Sequence, residues 1–69
     1  MPVINTIDLE GISPHSWGDA AREALGEAAK TIRGIHRMEV LETSTRVQEG
    51  RIAEYRTRIR LYFTVEPSR

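Results

Sequence analysis

A chain of 69 residues carrying ten Lys and Arg against ten Asp and Glu has no formal net charge, which argues against nucleic acid or an anionic membrane as its main partner. A domain this small buries only about 60% of the surface that its unfolded form exposes. With no cysteine in the chain, disulfides and thiolate zinc sites are excluded as supplements to so small a core, and self-association is left as the favoured one. No apolar run approaches the roughly 20 residues of a membrane span, and residues 1–12 lack a basic segment followed by an apolar one. The expectation is a single domain, 1–69, in a cytoplasmic protein.

Val3 to Glu10 alternates, with Val3, Asn5, Ile7 and Leu9 on one side, and reads as a strand. Gly11-Ile12-Ser13-Pro14 has loop chemistry, because glycine permits unusual dihedrals, serine turns on its own backbone and proline biases the residue before it away from helix. Ser16 with Asp19 three residues on has the form of a capping box and marks Ser16 as an N-cap. Trp17, Ala20, Ala21, Ala24, Leu25, Ala28 and Ile32 then recur at helical spacing, and Arg33 with Gly34 closes a predicted helix of about seventeen residues. Its stripe is mostly alanine, which adds little transfer energy but lets the helix backbone approach a sheet closely.

Met38 to Val47 is rich in β-branched residues and holds no breaker, and Gln48-Glu49-Gly50 supplies a turn. Arg51 to Glu66 alternates throughout: Ala53, Tyr55, Thr57, Ile59, Leu61, Phe63 and Val65 share one face, and Ile52, Glu54, Arg56, Arg58, Arg60, Tyr62 and Thr64 the other. The two runs form one long antiparallel hairpin, and Pro67-Ser68-Arg69 is left as a short loose tail. The fold class is α+β, in the order β-α-β-β. The last strand would span over ~50 Å, more than one helix can cover, so another copy of the chain is the expected cover for the rest of the sheet.

Chemistry for an enzyme is not visible. Thiol catalysis is excluded, His15 and His36 read as loop residues without metal-ligand spacing, the glycines form no phosphate-cradling loop, and the serines have no evident base partner. What stands out is arginine, which makes up nine of the ten basic residues. Its flat, weakly hydrated guanidinium suits ion-paired interfaces and stacking on planar ligands. Arg58 and Arg60 are expected to form ion pairs across strands and between subunits, with Glu39, Glu42 and Glu54 on or near the same hairpin. A sheet face binding single-stranded RNA is the sharper alternative, yet only Tyr62 offers an aromatic platform there.

The order of elements and several strings resemble the dodecins, small flavin-binding β-α-β-β proteins that assemble into hollow twelve-subunit shells. The matching stretches are Gly11-Ile12-Ser13-Pro14, Ser16-Trp17 opening the helix, the alanine stripe through Thr31-Ile32, Glu39-Val40, Gly50, Tyr55 and Phe63, and they span nearly the whole chain. The resemblance implies a three-stranded antiparallel sheet wrapped around one helix, a homododecamer as the only macromolecular partner, no enzymatic activity, and riboflavin or flavin mononucleotide (FMN) as the ligand.

In the family each flavin ring stacks on a tryptophan just before strand 2, and a glutamine on strand 3 bonds its polar edge. This chain departs at both places, with Arg37 at the tryptophan position and Arg56 at the glutamine position. A guanidinium still stacks on an extended π-system, whereas Arg56 donates hydrogen bonds but accepts none. The expectation is weakened flavin binding through Arg37 and Arg56, with Glu42 and Ser44 beside the pocket and a bias towards ligands of negative character, such as FMN or reduced flavin. Trp17 is assigned to packing. The alternative that the resemblance leaves open is a shell that has lost flavin and serves a structural or calcium-binding role.

Overall fold

The computed structural model describes residues 3–65, so Glu66 and the tail Pro67–Arg69 lie outside the described residues. Strand β1 spans Val3–Ser13, helix α1 Trp17–Ala29, strand β2 Ile35–Gln48 and strand β3 Arg51–Val65. They form one antiparallel sheet in the order β1-β3-β2, with α1 packed on one face. The predicted order of elements and the three-stranded antiparallel sheet are the ones observed.

The alternation read from β3 sets the two faces. Thr57, Ile59 and Leu61 point under the helix and are buried, and they pair with Gly11, Leu9 and Ile7 of β1. The core is thin, consisting of Ile59, Leu61, Ala21, Ala24 and Ala28, with Ile7, Leu9, Leu25, Ile32 and Ile35 packed around it. Alanine on the helix face has a steric consequence at Gly11. A Cβ built there would lie 1.9 Å from the Ala20 carbonyl oxygen and 3.1 Å from the Ala24 Cβ. The helix therefore rests on bare strand backbone.

Three boundaries differ from expectation. Gly11-Ile12-Ser13 continues β1 instead of forming a loop, because the glycine serves close approach of the helix and not a turn. Ser13 still makes its predicted local bond, accepting from the His15 N–H at 2.9 Å, and its hydroxyl donates to Asp19 Oδ2 at 2.8 Å. Ser16 caps the helix as predicted, accepting from the Asp19 N–H at 3.0 Å. The helix stops at Ala29, short of the expected Arg33. Its last turn tightens where Lys30 and Thr31 donate to carbonyls three residues back, at 3.2 and 3.1 Å, ahead of two consecutive β-branched residues that disfavour continuation. Gly34 takes the expected positive φ, +82°, but it turns the chain into β2, and its carbonyl accepts from the Thr64 N–H at 3.3 Å. Consequently β2 begins at Ile35, and His36 and Arg37 lie in the strand.

The hairpin closes with a two-residue loop in which Glu49 and Gly50 both have positive φ, 54° and 75°, the pattern of a type I′ turn. The described residues extend 56 × 19 × 13 Å, while a thirteen-residue helix is only about 20 Å long. Much of the hairpin is uncovered as a result: Met38, Val40, Val47 and Ile52 are exposed. Trp17 bridges the helix start to the hairpin. Its Nε1 donates to the Ser44 carbonyl at 2.9 Å, its carbonyl accepts from Thr57 Oγ1 at 2.8 Å, and its ring meets the edge of Tyr55 with centroids 5.2 Å apart. The packing role expected of it is thereby realised.

Candidate functional site

The face of the sheet opposite the helix carries most of the charge. Directly opposed antiparallel residues share a face, so the register places Ser44 beside Arg56, Glu42 beside Arg58, Glu39 and Asp8 on either side of Arg60, and Arg37 beside Tyr62. Irregularities in β2 at Ile35/Arg37 and Val40/Glu42 bring the polar residues of the edge strand back onto this face.

Four arginines of the face are committed to carboxylates. Arg60 grips Asp8 with two bonds of 2.8 and 3.1 Å. Arg56 donates from Nε to Glu54 Oε2 at 2.8 Å and lies 3.4 Å from Glu10. Arg46 and Arg58 stand 3.5 Å from Glu54 and Glu42. The Arg60 hydrogen bond holds Asp8 below its ordinary pKa, and the Arg56 bond does the same to Glu54, so both remain ionised at neutral pH. Arg58 pairs with Glu42 of the hairpin as expected, whereas Arg60 pairs across to Asp8 of β1 and not with a hairpin carboxylate; a face so neutralised is a poor track for a polyanion.

Arg37 is different. Its Cζ sits 4.1 Å from the centroid of the Tyr62 ring, within cation–π range, and among the described residues no carboxylate oxygen lies within 4.0 Å of its guanidinium nitrogens. The Tyr62 hydroxyl donates to Glu39 Oε1 at 2.6 Å. Arg37 also borders an open, largely apolar cleft of about 540 Å³ between the C-terminal half of α1 and the start of β2, with Leu25, Ile32, Ile35, His36 and Met38 among its walls. A second groove, of about 440 Å³, runs between α1 and β1.

Within one subunit the four candidate residues are not gathered. Ser44 and Arg56 are opposed, Glu42 is close by, and Arg37 lies beside Tyr62, six residues along β3 from Arg56, about 20 Å at strand rise. The reading from sequence placed Tyr62 on this face but missed it as the partner of Arg37. The signal was the register of the hairpin, which starts at the two-residue turn and is regained at Arg37 because the irregularities at Arg46/Val47 and Val40/Glu42 offset each other.

The sequence profile of the Dodecin family matches residues 3–66. The chain belongs to the dodecin family. It is 32% identical over 68 residues to the calcium dodecin of Mycobacterium tuberculosis, covering 99% of this chain and 96% of that one. A dodecin structure from Streptomyces coelicolor superposes with a TM-score of 0.92 at 25% identity, covering 97% of this chain and 96% of that one. A T. thermophilus dodecin variant gives 0.92 at 28%, covering 99% and 100%. The crystal structure of the M. tuberculosis calcium dodecin, described as having a novel calcium-binding site, gives 0.83 at 33%, covering 97% and 96%. By TM-score the backbone of this dodecin therefore lies nearer the Streptomyces and T. thermophilus structures, although its sequence is more similar to the calcium dodecin.

Proposed function

We propose that this chain is a non-catalytic flavin-binding protein that stores or sequesters riboflavin or FMN in the seams of a homododecamer. The observation that carries the reading is Arg37, a planar cation held over an aromatic ring, at the family's stacking position. Arg56 has a smaller part than the sequence implied, because its donors are already engaged by Glu54 and Glu10. Self-association is supported by the uncovered half of the hairpin, where Val40, Val47 and Ile52 present more than half of their surface to solvent.

The test is the fluorescence of riboflavin or FMN as protein is added. Quenching that saturates near one flavin per subunit, and weakens in Arg37→Ala, is expected; flavin left unquenched at high micromolar protein refutes the reading. Light scattering checks the twelve-subunit assembly independently.

A calcium-binding shell is the second reading, favoured by the identity to the M. tuberculosis protein. Among the described residues of one subunit no group of three His, Asp or Glu is close enough to hold a metal ion. Calorimetric titration with calcium, set beside the flavin titration, decides between the two.

A further inference from the structure

Arg46, Arg56, Arg58 and Arg60 are each fixed by a carboxylate, whereas Arg37 is fixed by a ring. An arginine otherwise free in solution loses much rotamer entropy when a ligand orders it, and prior ordering removes that cost from binding. Tyr62 is well placed to supply the order. It stands directly opposite Arg37 in the hairpin register, it is half-buried, and its hydroxyl is tied to Glu39 by a short 2.6 Å bond. Glu39 in turn lies opposite Arg60, which Asp8 holds from the other side.

The hydroxyl bond also has an electronic effect. Donation from a phenol to a carboxylate is charge-assisted and pushes electron density into the ring, which strengthens the ring's attraction for the cation above it. A guanidinium has two faces, and with its Cζ 4.1 Å from the Tyr62 centroid Arg37 has that ring on one side and can take a second π-system on the other.

We infer that Tyr62 is the positioning residue of the ligand-stacking Arg37, so that phenol, guanidinium and bound ring form one three-layer stack. The inference rests on the flavin reading and adds to it a residue that the family's tryptophan and glutamine positions do not include. Tyr62 acts through Arg37 and makes no contact with the ligand of its own.

The experiment is a double-mutant cycle on FMN binding to the assembled protein, read by fluorescence quenching, with assembly checked for each variant by light scattering. Tyr62→Leu is expected to weaken FMN about three- to fivefold and to lower the fraction of fluorescence quenched at saturation. Tyr62→Phe, which keeps the ring and loses the bond to Glu39, should recover most of that loss. In an Arg37→Ala background, Tyr62→Leu should change nothing further, since the two residues act as a unit. Loss of affinity in Arg37→Ala with full retention in Tyr62→Leu overturns the positioning role and leaves the flavin reading standing. An equal loss from Tyr62→Leu with or without Arg37 also overturns it, because the ring would then act by itself. If Arg37→Ala binds FMN as the wild type does, the stacking role of Arg37 and the inference fall while flavin binding stands; if the wild type does not bind FMN, the flavin reading fails and the inference with it.

Discussion

The seat of the helix on the sheet turns on Gly11, and Gly11→Ala measures it. Ordinary contact with a Cβ begins near 3.4 Å, and the Ala20 carbonyl oxygen lies 1.9 Å from where the new atom would sit, with the Ala20 carbonyl carbon at 2.8 Å. The clash is with helix backbone, so no side-chain rotation relieves it, and the two elements must part by about 1.5 Å. Separation on that scale also strips Ala24 and Ala28 of their contacts with Ile59 and Leu61, since a gap of 0.5–1 Å already forfeits a quarter to a half of a dispersion well. The expected cost is about 3 kcal/mol, at the top of the usual range for overpacking. In a domain of this size that corresponds to a fall in Tm of about 12–24 °C. Thermal unfolding followed by circular dichroism and by the fluorescence of Trp17, the chain's single tryptophan, reads the change at fixed protein concentration, because assembly makes Tm concentration-dependent. Gly26→Ala is the control: nothing lies within 4 Å of its Cβ position, and alanine in a helix interior should stabilise by about 0.5–1 kcal/mol. A Gly11→Ala protein within 1 kcal/mol of wild type would refute close approach as the reason for the glycine.

Two further perturbations test the supports around that seat. Thr57→Val keeps the side-chain shape and removes the bond to the Trp17 carbonyl, so it should cost about 1 kcal/mol in denaturant unfolding and shift the Trp17 emission, whereas Thr57→Ser, which keeps the hydroxyl and loses a buried methyl, should leave the emission at its wild-type position. Acid should weaken the sheet's charged face: Asp8 and Glu54 are held below their ordinary values of 3.8 and 4.5 in the folded state, so their contribution is present above those values and is lost as pH falls through the lower folded ones. Asp8 is exposed and Glu54 half-buried, so the loss at Asp8 should shrink in high salt; unfolding curves from pH 5 to pH 2 that are unchanged by Asp8→Asn would dismiss the Asp8–Arg60 pair as a contributor.

What the sequence disclosed was periodic, and what it concealed was contact. The alternation of Ile59, Leu61 and Thr57 against Arg56, Arg58 and Arg60 assigns both faces of β3 correctly, and Ser16 marks the helix start because a cap is a local device. Gly11 misled because glycine has two uses, turning a chain and admitting a neighbour, and only the second applies here; which one holds depends on Ala20, nine residues away and on another element. Ile35 to Arg37 was read as loop for a related reason, since pairing with Phe63 and Tyr62 supplies the strand bonds that local composition does not announce. The candidate site was legible only as far as its faces. That Arg56 is spent on Glu54 and Glu10 while Arg37 rests on Tyr62 depends on side-chain reach across strands, which periodicity does not encode.

The charged face gains its meaning from this division of labour. Exposed ion pairs contribute little to stability, so the Asp8–Arg60 and Glu42–Arg58 pairs are poor candidates for what keeps so thin a core folded. The effect is on recognition: with Asp8, Glu10, Glu42 and Glu54 set against Arg46, Arg56, Arg58 and Arg60, the face loses the positive potential that would draw any polyanion, and Arg37 is left as the arginine of the sheet's polar face available for stacking. Selectivity then comes from shape and π-character beside the cleft, not from net charge. On this argument the bias towards negatively charged ligands expected from two unpaired arginines per site is reduced, because Arg56 is paired and Glu39 lies just beyond the Tyr62 ring. Riboflavin and FMN, which differ by the phosphate, should therefore bind this chain with similar affinity at physiological salt; strong preference for FMN would show that the carboxylates do not offset the arginines when the subunits assemble.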